Sequence, residues 1–187
     1  MVLTSLFSSI TAAMATAADH TDVLEFAERV LSPQKTRPLQ PDGKEHDLYH
    51  LESVYLTGRN GIAVARAKEG GAIVGMMAVQ AFDPRAHVEH VDDVHAFAAD
   101  YGYTPQTTAV YRRTLIDERY PRLPVLRTLV KEADRFARGQ EYRWVYRHCH
   151  HNDLPVMLQW KRVGYAITEE DFSTGSMHMR KTLEGSS

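Results

Sequence analysis

The segment from Arg147 to Asp153, RHCHHND, concentrates side chains that bind metals or move protons. It holds three histidines and the only cysteine of the chain. On a strand, alternate side chains point to opposite faces, so His148 and His150 share one face while Cys149 lies on the other. A neighbouring Cys–His pair is therefore not expected to act as nucleophile and base, and a buried free thiol is the commoner outcome. Imidazole titrates near neutral pH, which suits a general base or a metal ligand.

Two further histidine groups raise the question of a metal site. The segment HDLYH separates His46 from His50 by four positions, as in a helical zinc pair, with Asp47 where the zincin motif has glutamate. A looser set is formed by His87, His90 and His95. Zinc needs about four ligands in a tetrahedron, and ten histidines in 187 residues make chance clusters common. We therefore predict no metal, and a metal-dependent hydrolase that uses His46 and His50 is the weakest of three hypotheses.

The composition is that of an ordinary globular chain. Apolar residues make up 43% and charged residues 25%. The 22 Lys and Arg residues against 24 Asp and Glu give 22 − 24 = −2, so no overall basic field attracts nucleic acid. A single cysteine fits a reducing compartment, and no run approaches the ~20 apolar residues of a membrane-spanning helix. We expect a cytoplasmic protein that binds neither nucleic acid nor membranes.

The first sixty residues are predicted to be largely helical. The start, MVLTSLFSSITAAMATAADH, has an apolar beginning but no basic region, so we expect residues 1–21 to be a leading helix or a flexible segment rather than a signal peptide. Apolar residues at helical spacing predict a helix over Asp22 to Leu31 and a second over Glu45 to Leu56. A loop with three prolines separates the two helices.

From Gly61 onward, strands and helices alternate. Two β-rich runs flank Lys68 to Gly71, where the glycines supply the positive φ angles of a tight hairpin. The elements predicted after the hairpin are a helix within residues 91–102, a strand over 107–116, a helix over 123–139, a strand over 142–149, a short helix opened by Asn152 and Asp153 and ended by Gly164, and strands over 165–168 and 176–183. This alternation indicates an α/β layer with at least one parallel strand pair.

This order, and especially its second half, resembles the GNAT superfamily of acyl-CoA-dependent N-acyltransferases, and the resemblance covers roughly the chain from Gly61 onward. The resemblance rests on GAIVGMMAVQAF, TLIDERYPRLPVLRTLVKEADRFA, HCHHNDLPVMLQWKRVGY and SMHMRKTL, and its most specific feature is Asn152 followed by a short helix and Gly164-Tyr165. It implies a GNAT-like α/β fold, with a mixed, mostly antiparallel central sheet flanked by helices and a central parallel strand pair. It further implies one domain over 1–187, with a helical entry region over 22–60 and a core over 61–183.

The turn between the strand over 107–116 and the following helix is the implied acyl-donor site. A helix N-terminus offers backbone N–H groups and a positive dipole end, which suit a diphosphate. The family's turn, (Gln/Arg)-x-x-Gly-x-(Gly/Ala), holds the coenzyme A pyrophosphate, whereas the matching stretch here, RYPRLPVL, has no glycine and two prolines. Arginine side chains would then bind phosphate instead. The resemblance implies donor-binding roles for Leu115, Ile116, Asp117, Arg119, Arg122, Leu123, Val125, Leu126, Arg127, Asn152 and Trp160.

Acyl transfer to an amine needs a base and a polarised thioester carbonyl. The resemblance places the polarising backbone N–H within Leu115 to Asp117. A carboxylate base would be Glu118 or Asp117. It also places the end of the strand over 142–149 beside the thioester, so His148 or His150 is expected as an alternative base.

The leaving thiolate of coenzyme A needs a proton. The family's tyrosine for this step falls at Trp160, whose indole N–H has no useful acidity. The thiolate then leaves unassisted, or Tyr146, Tyr165 or a histidine replaces that tyrosine.

The expected function is an N-acyltransferase that acts on the amine of a small molecule or an amino acid. The resemblance implies acyl-CoA, acetyl-CoA or longer, or an acyl carrier protein as donor, and no permanently bound cofactor. The alternative is a catalytically degenerate relative that keeps the fold as a ligand-binding or interaction protein. The oligomeric state is left open, with a homodimer as one option.

Overall fold

The structure is a computed structural model that describes residues 10–31, 46–83, 100–150, 153–171 and 176–183. The strands are β1 (Ile10–Met14), β2 (Gly61–Ala67), β3 (Ile73–Ala81), β4 (Thr108–Ile116), β5 (Trp144–His150), β6 (Ala166–Asp171) and β7 (Ser176–Thr182). The helices are α1 (His20–Leu31), α2 (His46–Tyr49), α3 (Leu51–Tyr55), α4 (Arg122–Gly139) and α5 (Leu154–Lys161), and a 3-10 turn covers Ala17–Asp19. The helix predicted within residues 91–102 lies outside the described residues except at its end.

The described strands form a seven-stranded sheet in the order β1-β2-β3-β4-β5-β7-β6. Strands β4 and β5 are parallel, with Thr108 to Val110 opposite Trp144 to Tyr146. The pairs β1–β2, β2–β3, β5–β7 and β6–β7 are antiparallel. The predicted fold class, a mixed and mostly antiparallel sheet with a parallel pair and flanking helices, is thereby confirmed.

The predicted hairpin and the long amphipathic helix are present. Gly70 and Gly71 connect β2 to β3 with φ angles of 78° and 65°, as the sequence predicts. Helix α4 begins at Arg122 and ends at Gly139, one residue longer than predicted.

The prediction for the start of the chain was wrong in part. Residues Ile10–Met14 form strand β1 instead of a leading helix. Ile10 pairs with Ala67 and Met14 with Ala63, so the segment extends the sheet at the edge of β2. The residues ITAAM have no strong helical or strand periodicity, and hydrogen bonding to the edge of β2 therefore decides their conformation.

The single helix predicted over Glu45 to Leu56 is two short helices in the described residues. His50 lies between α2 and α3 with φ −109° and ψ 38°, outside the helical region. The i,i+4 helical spacing of His46 and His50, on which the hydrolase hypothesis depended, is therefore not formed.

The chain divides into two compact units. The first unit comprises Met1–Val79 and Arg112–Phe136, and the second comprises Gln80–Tyr111 and Ala137–Ser187. In the first unit, helices α1 to α3 and strands β2 and β3 share one hydrophobic core, whose larger members are Val23, Phe26, Leu48, Leu51, Tyr55, Ile62, Val64, Ile73 and Met76. In the second unit, a separate core contains Phe82, Tyr103, Val110 and Tyr146.

Helix α4 packs closely on β3 within the first unit. A Cβ atom added at Gly75 would lie 2.7 Å from Val125 Cγ1 and 3.1 Å from Leu129 Cδ1, distances too short for an ordinary contact. The same added atom would lie 3.4 Å from the carbonyl oxygen of Leu115. The absence of a side chain at Gly75 thus allows the first turns of α4 to approach β3 closely.

Candidate active site

The carboxyl end of β4 is fixed against β3 in the first unit. Ile116 is buried, and the backbone N–H of Asp117 donates to the carbonyl of Val74 over 3.0 Å. Leu115 is half-buried against the core that α1 to α3 form. The three residues predicted to meet the thioester therefore lie on one anchored segment that leads into the turn before α4.

Asp117 binds two arginines in this turn. Its carboxylate accepts hydrogen bonds from Arg119, with Nε 3.0 Å from Oδ1 and Nη2 2.7 Å from Oδ2, and it also pairs with Arg29. The hydrogen bonds from Arg119, followed by that from Arg29, hold the pKa of Asp117 well below its usual range despite its burial. A carboxylate that is so weakly basic is a poor proton acceptor. The geometry therefore favours an anchoring role for Asp117 rather than the base role.

The predicted phosphate-binding residues divide into exposed and buried groups. Arg119, Arg122 and Arg127 are exposed at the start of α4, and Glu118 is exposed in the turn before it. Leu123 is half-buried. By contrast, the side chains of Val125 and Leu126 are buried in the core, and the N–H of Val125 donates to the carbonyl of Pro121 over 3.4 Å. Pro124 has no N–H, which leaves the exposed guanidinium groups as the main cationic feature.

A buried network joins α2 and α3 to β4, also in the first unit. Arg113 donates to both carboxylate oxygens of Asp47, from Nε over 3.0 Å and from Nη2 over 2.8 Å, and the Tyr55 hydroxyl donates to the same carboxylate. Burial by itself raises the pKa of Asp47, but the hydrogen bonds from Arg113 and Tyr55 outweigh it and lower that pKa. Burial and the adjacent Asp47 together raise the pKa of Tyr55. Asp47 is therefore ionised and Tyr55 neutral at neutral pH.

In the second unit, the two faces of β5 differ as the sequence predicts. Tyr146 and His148 lie on one face of β5. His178 of β7 is the sheet partner of His148 and lies on the same face. The Tyr146 hydroxyl is 2.8 Å from His178 Nδ1, and the rings of His148 and His178 are 5.6 Å apart between centroids. Tyr146 and His178 are buried, whereas His148 is half-buried. These three side chains form one aromatic and imidazole cluster that can hold or pass a proton.

The opposite face of β5 is a packed interior. Arg147 lies over the Trp160 ring at 4.0 Å from its centroid, and Trp160 meets the Tyr165 ring edge-on at 5.2 Å. Trp160 is 1% exposed and Cys149 is buried. Trp160 therefore packs under Arg147, and Cys149 is the buried thiol that the strand alternation indicates.

Some predicted residues lie outside the described residues. These are Asn152, the side chains of His46 and His150, and His87, His90 and His95. Within the described part of the chain, no three His, Cys, Asp or Glu side chains come together as metal ligands would. In the same part of the chain, no helix combines the length and the apolar character that crossing a membrane requires.

The sequence did not indicate the partners of four residues that the structure brings into these sites. Arg29, Asp47 and Arg113 form ion pairs with partners far along the chain, and His178 binds Tyr146. The only sequence feature that pointed to any of them was strand alternation. It places His178 on one face of its strand but does not identify the residue that it contacts.

A cavity of about 570 Å³ opens elsewhere in the first unit. Its lining includes Met14, Glu52, Leu56 and Phe136. Gly61, also in the lining, pairs with Val79 at the end of β3 opposite Val74. Five strand residues span about 17 Å, so the Gly61 edge of the cavity lies at the opposite end of β3 from the turn after β4.

Comparisons with solved structures identify the fold. An acetyltransferase of the GNAT family from Staphylococcus aureus Mu50 matches with a TM-score of 0.65 and 12% identity, over 94% of this chain and 100% of that one. YncA from Salmonella typhimurium, assigned as an acetyltransferase and solved with its cofactor acetyl-CoA, matches with a TM-score of 0.65 and 13% identity over 96% and 97% of the chains. Ard1 from Thermoplasma volcanium gives 0.63 and 14% over 95% and 99%.

These neighbours share the architecture across nearly the whole chain at low identity. The protein therefore has the fold of the GNAT acetyltransferases. Neither the available protein-family models nor the curated protein sequences contain a match to the chain.

Proposed function

We propose that the protein is an N-acyltransferase that transfers an acyl group from acyl-CoA to the amine of a small molecule or an amino acid. The observation that carries the proposal is the arginine-rich start of α4 directly after β4, in the fold that YncA combines with acetyl-CoA. A helix start with exposed guanidinium groups suits a diphosphate, because the helix dipole and the side-chain charges act on it together.

Arg119 and Arg122 are the proposed pyrophosphate ligands. Asp117 holds the guanidinium of Arg119 by two side-chain hydrogen bonds, which orients it before any ligand arrives. Because Arg29 also pairs with Asp117, the trio keeps a net charge of +1. Asp117 thus positions a cation without neutralising the site.

His148 is the proposed general base, with Glu118 as the alternative. The base takes a proton from the acceptor ammonium, the amine nitrogen attacks the thioester carbonyl, and the bond to sulfur breaks to release coenzyme A thiolate. The backbone N–H groups of Leu115 and Ile116 are proposed to stabilise the carbonyl oxygen as it becomes negative, because that of Asp117 already donates to the carbonyl of Val74. Tyr146, hydrogen-bonded to His178, is proposed to supply the proton for the thiolate, and the second proton that the amine nitrogen loses as the amide forms returns to the Tyr146 oxygen.

The donor assignment is tested by calorimetric titration of acetyl-CoA. Arg122→Ala should weaken binding several-fold, by roughly 1 kcal/mol, since it removes one exposed charge-assisted contact. Arg135→Ala is the matched control, because Arg135 is an exposed arginine of the same helix that lies about 20 Å further along it. Equal affinity in both variants would show that Arg122 does not bind the donor. A wild-type protein that binds neither acetyl-CoA nor long-chain acyl-CoA would overturn the proposed function.

A degenerate binding protein is the second candidate, and the packing of Trp160 favours it. This residue stands where a proton-donating tyrosine is expected and is buried under Arg147. Release of coenzyme A thiol in the presence of an amine panel separates the two candidates. Binding of acyl-CoA without turnover on any amine would support the second. The cytoplasmic location, the single domain, an acyl carrier protein as donor and a homodimer stay predictions.

A further inference from the structure

Arg113 has an unusual backbone conformation for a residue within strand β4. Its φ angle is 49°, in the left-handed region that disfavours residues other than glycine. Such conformations persist when the surrounding structure imposes them, and they concentrate at functional sites. Some feature of the first unit must therefore hold Arg113 in place.

The carboxylate of Asp47 binds the side chain of Arg113. It receives two hydrogen bonds from the Arg113 guanidinium, at 3.0 and 2.8 Å, in a bidentate arrangement that fixes orientation as well as distance. The Tyr55 hydroxyl donates to the same carboxylate, and both Asp47 and Tyr55 are buried. Two helices on one side of the sheet thus fix a single residue of β4.

The segment that follows Arg113 is the proposed donor segment. Its far end is fixed separately, because the N–H of Asp117 bonds to Val74. Between these two anchors, the Thr114 hydroxyl oxygen is buried and has no hydrogen-bond partner among the described residues. A buried hydroxyl without a partner is uncommon in native proteins and is found where the structure stores strain or serves a function.

We propose that Asp47 and Tyr55 are positioning residues that hold Arg113 in its left-handed conformation and thereby set the backbone of Leu115 to Asp117 for the acyl donor. The effect on the donor rests on the proposed function. The effect on the backbone does not, and it is measured separately.

The first measurement is hydrogen exchange of the amides of Leu115 to Asp117 in the ligand-free protein. Asp47→Asn should raise these exchange rates about tenfold, a ratio equivalent to ~1.4 kcal/mol. Tyr55→Phe, which removes only a hydroxyl, should raise them less and guards against a failure of Asp47→Asn to fold. Asp19→Asn is the control, since it breaks another Asp–Arg pair of the first unit, with Arg66, and should leave these amides unchanged.

A double variant distinguishes positioning from general stability. Glycine adopts the left-handed conformation without steric cost, so adding Arg113→Gly to Asp47→Asn should return the exchange rates towards those of the wild type. It should also restore an affinity for acetyl-CoA that Asp47→Asn lowers about tenfold. If the network only stabilised the fold, glycine would make exchange faster, because it increases the entropy of the unfolded chain.

The outcomes separate the two proposals. Unchanged exchange in Asp47→Asn and Tyr55→Phe, or a double variant that exchanges as fast as Asp47→Asn, would overturn the positioning role. A wild-type protein that does not bind acetyl-CoA would refute the proposed function, while the exchange data would still decide the role of Asp47 and Tyr55.

Discussion

The substitution Asp117→Asn tests how the turn before α4 is held together. Asp117 is 3% exposed, and its carboxylate pairs with Arg119 and Arg29. Hydrogen bonds to charged groups contribute about 1.5–3 kcal/mol each, but both arginines are partly exposed and regain water when the charge is lost. We therefore expect a loss of about 3 kcal/mol, which lowers Tm by about 6–12 °C in a chain of this size.

The direction in which the Tm difference changes with pH follows from the lowered pKa of Asp117. The arginines lower the pKa of Asp117 in the folded protein, while the pKa of an unfolded aspartate is about 3.9. The stabilisation is therefore complete above about pH 5 and is lost as the pH falls through the unfolded value towards the folded one. The Tm difference between the wild type and Asp117→Asn should stay constant from about pH 7 to 5 and become smaller below about pH 4.

Calorimetric melting of both proteins across this pH range is the assay. Asp22→Asn is the matched control, because Asp22 is 58% exposed and contacts Arg66 over 3.2 Å, an arrangement that contributes less than about 1 kcal/mol. Equal Tm values at pH 7, or a difference that persists unchanged at pH 3, would show that Asp117 is not a stabilising ionised anchor.

Three further predictions concern packing and proton transfer. Gly75→Ala should destabilise by about 1–3 kcal/mol in urea unfolding through contact with helix α4, whereas Gly139→Ala, with no atom near its Cβ position, should not; equal effects would contradict the close approach. Tyr146→Phe should cost about 1–3 kcal/mol by leaving buried His178 without its hydroxyl partner, and thermal melting checks this; an unchanged Tm would argue against the bond. If turnover is found, His148→Gln should lower kcat by about 10²-fold or more, and full activity would leave Glu118 as the base.

Most of the fold from Gly61 onward could be predicted from the sequence. Helix α4 follows from apolar residues at three- and four-residue spacing, and the β2–β3 hairpin follows from paired glycines. Strand β1 could not be predicted, because its small residues gain strand conformation only by pairing with β2. Periodicity identifies elements that bury a face of their own, whereas an edge strand depends on its neighbour.

The sequence predicted which face of a strand a site residue lies on, but not which residue it contacts. Strand alternation predicted that His148 and Cys149 point to opposite sides of β5. The ion pairs of Asp117 with Arg29 and of Asp47 with Arg113 join residues 88 and 66 positions apart. A charged residue in a single sequence gives no indication of which opposite charge it will meet, because that depends on the packing of whole elements.

The turn into α4 illustrates how charge can take the place of backbone donors. Pro121 and Pro124 remove N–H groups that a glycine-rich turn would offer to a phosphate. Arg119 and Arg122 offer guanidinium donors at the same helix end, and Asp117 holds one of them in position. An ordered guanidinium loses less conformational entropy when a ligand binds. The proposed donor site therefore depends on a buried carboxylate that contacts no ligand itself, and this is why Asp117 is the residue whose loss we expect to affect both stability and donor binding.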